Sequence, residues 1–209
     1  DVIISSCCHS INLLIEKYFP SALRYLAKVI SPMQAHCMDI KKRYPDAKTI
    51  FIGPCVSKKD EADRYPGPVD CVLTFEELQA LFDSRDIDPT KLEETELNNA
   101  SYYGRIFGHC GGLSMAAAEA LKEQGIEFDA KPISCSGIEE CRMALLKAKV
   151  GKLDANFIEG MACIGGCVNG AGSLTHSAKN QQLVEKHGKE AERKTIQDSI
   201  SHPDASFKH

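Results

Sequence analysis

The chain has 209 residues, 43% of them hydrophobic and 26% charged, with a net charge of -4. That length allows one large or two small globular domains, and the charge gives no basis for expecting nucleic acid. The longest apolar runs fall far short of a bilayer span and the first residues carry no basic flank, so neither membrane anchor nor signal peptide is expected.

Residues 2–5 read as a short buried strand running into the adjacent cysteines Cys7 and Cys8. Because the chain opens at Asp1 and reaches this turn so soon, we expect a piece of a longer polypeptide whose upstream part is missing. Ile11, Leu14, Ile15 and Tyr18 then recur at helical spacing until Pro20 stops them. A short helix carrying Leu23 and Leu26 is expected next. Ser31-Pro32 supplies the cap and first-turn proline for a further helix over 33–43.

After the Tyr44-Pro45-Asp46 breaker, 49–52 reads as a strand ending at Cys55, 58–64 as a short charged helix, 69–74 as a strand and 75–83 as an amphipathic helix. The polar run 86–100 is expected to be an exposed loop or lobe boundary. Phe107-Gly108-His109-Cys110 precedes an alanine-rich helix over 113–124. A strand at 131–135, a helix at 138–149 and a strand at 155–161 follow. The chain divides as residues 1–174, the cysteine-bearing domain, and 175–209, a polar tail with one helix held outside by Leu183, Val184 and Ile196. Strands alternating with helices predict an α/β fold, a largely parallel sheet with flanking helices.

Three of these strands end in cysteine loops, and ligands gather at the carboxyl ends of strands in such sheets. The third loop, Glu159-Gly160-Met161-Ala162-Cys163-Ile164-Gly165-Gly166-Cys167-Val168-Asn169-Gly170-Ala171-Gly172, sets two thiols four apart where glycines strip side chains from the backbone. Thiolates are soft ligands and glycines let the main chain approach something bulky, so a metal or cluster floor is expected. Two cysteines at that spacing alone would as readily be one core and one surface residue. Ten cysteines without an extracellular signature point to a reducing, cytoplasmic setting; a disulfide scaffold is the competing account, usual in chains too small to own a core.

These loops resemble the three signature motifs of the active-site domain of iron-only (FeFe) hydrogenases: Ser5-Ser6-Cys7-Cys8, then Gly53-Pro54-Cys55-Val56-Ser57-Lys58-Lys59-Asp60-Glu61, then the run from Glu159 to Gly170. The resemblance spans about residues 1–172 and includes Ile15-Glu16-Lys17-Tyr18-Phe19-Pro20 and Ser31-Pro32. It implies an iron-only hydrogenase-like fold and an H-cluster: a 4Fe-4S cubane on Cys8, Cys55, Cys163 and Cys167, with Cys167 bridging to a two-iron subcluster that carries carbon monoxide, cyanide and a dithiolate. It further implies that Cys7 passes protons and that Lys58 binds cyanide beside the backbone from Pro54 to Ser57; a thiol can relay protons if its environment lowers its pKa toward working pH. Met161 and Phe107 would wall the pocket. The activity implied is reversible hydrogen oxidation by a ferredoxin-type hydrogenase. Electrons would come from a ferredoxin or further iron–sulfur domains, since no relay-cluster cysteines occur here.

The sequence departs from the hydrogen-evolving pattern at His9, where proline is usual, at Ala27 in place of a relay serine, at Met33 in place of a glutamine and at Gly53 in place of a methionine. Tryptophan is absent, and the last motif ends Ala171-Gly172-Ser173-Leu174. Those changes fit the divergent sensory branch, in which the cluster detects hydrogen for attached signalling domains. A structural 4Fe-4S or zinc module on the same four cysteines is a second class, and thiol redox chemistry at Cys7-Cys8 a third. Cys37, Cys71 and Cys141 are expected to be buried small hydrophobes. Cys110 and Cys135 are open between packing and pocket, with packing favoured for Cys110. Glu61, Glu159 and His36 are candidate partners around the cluster.

Overall fold

A computed structural model describes residues 2–95 and 100–201; Asp1, part of the polar run before Ala100, and the end of the tail lie outside the described residues. Every strand pairing among the described residues is parallel. β1 (Ile3–Ile4), β5 (Phe157–Met161) and β4 (Pro132–Ser136) form one sheet in that order, with Ile4 opposite Ile158 and Cys135 opposite Gly160. β2 (Ile50–Gly53) and β3 (Cys71–Thr74) form a second. The parallel α/β architecture expected from the sequence is present, divided into two small sheets.

The larger sheet owns the main core. α1 (His9–Tyr18) and α7 (Ile138–Lys149) cover it, burying Ile11, Ile15, Cys141, Ala144 and Leu145 against Ile4, Cys135 and Ile158. The apolar spacing in both helices puts those residues on one stripe, which is why they fold against the sheet. Around the smaller sheet, α2 (Pro32–Arg43) buries Met33 and Cys37 with Val69 and Val72. The Ser31 hydroxyl caps α2 by accepting from the Gln34 amide at 3.4 Å. α3 (Ser57–Arg64) follows β2, and α4 (Phe75–Asp83) starts from β3 through a capping box between Thr74 and Glu77.

Some elements differ from expectation. Pro20–Tyr25 is a 3-10 helix, too tight for an α-helical stripe. A short helix, α5 (Tyr102–Ile106), precedes α6 (Gly112–Glu123); the Ser101 hydroxyl caps it by accepting from the Gly104 amide. The tail holds two helices, α8 (Lys179–Lys189) and α9 (Ile196–Ser201), and Leu183 faces outward, because Gly188 is the residue α8 sets against α5. Cys71 is exposed: β3 alternates, so Val72 and Thr74 face inward and Cys71 faces out. No helix among the described residues is long and apolar enough to cross a membrane.

Candidate cluster site

The three cysteine loops leave the carboxyl ends of β1, β2 and β5 and converge. The Cys167 thiol is pushed up to about 12 by burial, and then by the nearby thiols of Cys8, Cys55, Cys7 and Cys163. Burial likewise raises Cys163, with Cys55 and Cys8 adding to the effect, and Cys55, with Cys8 adding. Cys8, Cys55, Cys163 and Cys167, each half-buried and drawn from three loops, therefore lie in one neighbourhood. No three His, Cys, Asp or Glu side chains among the described residues are drawn around a single-ion site.

Cys55 sits just before α3, and its carbonyl accepts from the Lys58 amide at 3.3 Å at the helix start.

Glycines permit the loops to meet. A Cβ at Gly170 would lie 2.4 Å from the Pro54 carbonyl oxygen, which instead accepts from the Gly172 amide at 2.9 Å. At Gly166, with φ +97°, a Cβ would lie 2.5 Å from the Cys110 nitrogen. There the 107–110 turn is stitched to the third loop: the Cys110 amide donates to Gly165 O at 3.1 Å, and the Val168 amide to Gly108 O at 3.2 Å. A Cβ at Gly108 would lie 4.0 Å from Cys167 Cβ, so this turn borders that ligand candidate, and the neighbouring Phe107 is half-buried.

Lys58 is buried. Its ammonium is paired with Glu61 and donates to the Cys7 carbonyl at 3.1 Å, tying the second loop to the first. One of its three N–H donors is left. The buried Ser57 hydroxyl has no hydrogen-bond partner, and Met161 is buried at the end of β5. The surroundings of Cys7 do not lower its pKa, the condition set for a thiol relay. Burial, followed by repulsion from Cys8, raises it to about 11, and the Ser5 hydrogen bond and Lys58 only partly oppose that.

Glu159 is fully buried and takes part through a helix start: its carboxylate accepts from the Gly111 amide at 2.8 Å and from the Ser114 amide at 2.9 Å and hydroxyl at 2.5 Å. His36 is exposed, because α2 buries its Met33, Gln34 and Cys37 face instead. Met33 packs into the smaller core. Cys37 and Cys141 are buried packing residues, and Cys141 Sγ lies 3.8 Å from the Cys135 carbonyl. His9 is buried and meets Asp60 at 2.6 Å, a second tie between the first loop and α3.

Sequence reasoning missed Ser136, whose hydroxyl accepts from the Gly165 amide at 2.8 Å, and Ser5, which accepts from the Gly160 amide at 3.3 Å. Both act on backbone far away in sequence, and a lone serine carries no signal for that.

Residues 1–171 match the family described as iron only hydrogenase large subunit, C-terminal domain. Iron hydrogenase 1 of Clostridium pasteurianum is 30% identical over 225 aligned residues, covering 87% of this chain and 39% of that protein. Protein NAR1 of Arabidopsis thaliana is 26% identical, over 90% of this chain and 52% of that protein. The chain thus spans about half or less of these curated relatives. A solved variant of FeFe-hydrogenase HydA1 from Chlamydomonas reinhardtii superposes with a TM-score of 0.72 at 20% identity, over 96% of this chain and 70% of that one, a likeness of fold.

Proposed function

This chain belongs to the family formed by the C-terminal domains of iron-only hydrogenase large subunits, and on that premise we propose that it is an H-cluster domain whose Cys8, Cys55, Cys163 and Cys167 hold the 4Fe-4S cubane. The observation that carries this reading is that the loops bearing those cysteines meet, with the Gly172 amide on the Pro54 carbonyl and close backbone approach at Gly166 and Gly170. Ligands spread over three loops, with glycine clearance between them, suit a larger cluster.

The bound H-cluster would supply the reversible conversion of hydrogen to protons and electrons. Cys167 would hold the two-iron part as well as the cubane, and Lys58, oriented by Glu61 and the Cys7 carbonyl, would offer its remaining N–H to an anionic ligand there. The Ser57 hydroxyl, unpartnered in the structure, is a second donor at that end, and the Pro54 backbone lies beside it. Cys7 would hold a proton on Sγ and pass it inward. Phe107 and Met161 exclude water. Electrons pass to a ferredoxin-like carrier or to further iron–sulfur domains.

A second reading, hydrogen sensing with slow turnover, is favoured by Ala27. Its side chain has no proton to relay, while its amide binds Ile4 O at 2.8 Å as part of the β1 frame.

An infrared spectrum of anaerobic protein, reconstituted with iron and sulfide and loaded with a synthetic two-iron subcluster, tests the assignment. Sharp carbonyl and cyanide bands, lost in Cys167→Ser, are expected; a bound cubane without such bands would remove the two-iron part of the proposal. A turnover assay on the loaded protein then separates catalyst from sensor.

A further inference from the structure

The tail packs onto the loop that carries Cys167. α8 lies against α5 at Gly188, where a Cβ would sit 2.7 Å from Ile106 Cγ2 and 3.1 Å from the Tyr102 ring. Tyr102 donates from its hydroxyl to Glu185 Oε1 at 2.7 Å, and the other oxygen of that carboxylate faces His109 Nε2 at 3.4 Å. His109 is 5% exposed, its Nδ1 lies 3.0 Å from the Cys110 carbonyl, and its Nε2 is buried and makes no hydrogen bond, with Glu185 the carboxylate that faces it. The main chain of His109 is bridged to Gly166, the residue before Cys167.

The far side of the same turn is held by the tail as well. Asn180 Nδ2 donates to Asn169 Oδ1 at 3.0 Å, the Ser177 amide reaches the same oxygen at 3.4 Å, and His176 Nε2 lies 3.0 Å from the Gly170 carbonyl. Residues on both sides of Cys167 are thus fixed by groups from 176–185. A buried imidazole turned toward a carboxylate is a costly way to fill space if filling space were its role.

We propose that Glu185 is a positioning residue for the Cys167 loop: acting through His109 at one end, with Asn180 at the other, it makes the tail helix part of the cluster site. The effect on a cluster rests on the reading of Cys167 as its ligand, whereas the clamp itself stands on protein contacts alone.

The test is amide hydrogen exchange, read by mass spectrometry on the full chain prepared without iron, for wild type, Glu185→Ala, Glu185→Gln and Asn180→Ala. Glu185→Ala is expected to speed exchange over 164–170 about tenfold while β5 and α7 hold their protection. Glu185→Gln, which can still accept from Tyr102 and reach His109, is expected to restore most of it. Wild-type exchange over 164–170 in Glu185→Ala, with α8 itself loosened, would overturn the proposal. Where Glu185→Ala also loosens β5 and α7, Asn180→Ala decides: faster exchange over 164–170 with β5 unchanged supports the clamp, and any other pattern overturns it. In reconstituted protein, Glu185→Ala is expected to shift the cubane's midpoint potential and Glu185→Gln to return it toward wild type. A wild-type chain that takes up no iron while the exchange result stands would remove the functional reading and leave the clamp.

Discussion

The two sheets hold the candidate ligands by different means. Cys8, Cys163 and Cys167 ride on the larger sheet, whose core buries eight residues under α1 and α7. Cys55 and Lys58 ride on the smaller, which buries four and turns Ile50 and Ile52 outward at 57% and 43% exposure. Apolar packing therefore fixes the first group. The second is fixed mainly by polar ties across the gap: Lys58 to the Cys7 carbonyl, Gly172 to Pro54, and His9 to Asp60. Stability and site geometry should come apart when those ties are cut.

The largest effect is expected at Lys58→Met. It leaves Glu61 as a buried, unpaired carboxylate, so denaturation of the iron-free protein should show a loss of about 3 kcal/mol, and reconstitution should give less iron per chain. Gly170→Val comes next. Its side chain would meet Pro54 O and push the Cys55 loop from the Cys163 loop, costing about 2 kcal/mol and abolishing cubane uptake although the larger sheet stays folded.

A third effect is a pH dependence of the iron-free protein. Cys7 and Cys167 hold pKa values of about 11 and about 12 in the fold, above the ordinary thiol value of 9.0. Below that ordinary value both are protonated whether folded or unfolded, and their contribution is whole. Above it the unfolded chain loses its protons first, so stability falls as pH rises from the unfolded toward the folded values. Denaturation midpoints of wild type against Cys167→Ser should diverge in that window and run parallel below it. The smallest effect is expected at Asp60→Asn: Asp60 is exposed and screened by solvent, so the denaturation midpoint should barely move, and any drop in iron uptake would show that the His9 tie matters for geometry more than for stability.

The same contrast explains what could be read in advance. The strand-end position of each cysteine loop was legible, because the apolar runs at 2–5, 49–52 and 155–161 stop at glycine, proline or cysteine turns. Helices α1 and α4 were legible from their apolar stripes, and α2 from its Ser31-Pro32 start. That β2 and β3 pair apart from the other sheet was not, since pairing is decided across long separations. Cys71 was misplaced for that reason, because burial of an alternating strand depends on what covers each face. The family motifs marked Lys58 but could not show that Glu61 and the Cys7 carbonyl hold it. The roles of His109, Ser136 and Glu185 lie in contacts between loops, and no periodicity records those.

The account's central claim is that four thiols on three loops bind one cubane. Its most direct measurement is iron and sulfide content, with the electron paramagnetic resonance spectrum of the reduced form, for the reconstituted chain and its single serine variants. The account predicts a cubane in wild type that is lost or altered in Cys8→Ser, Cys55→Ser, Cys163→Ser and Cys167→Ser and unchanged in Cys37→Ser and Cys71→Ser. A cubane that survives Cys55→Ser intact would contradict it, because the smaller sheet would then contribute no ligand.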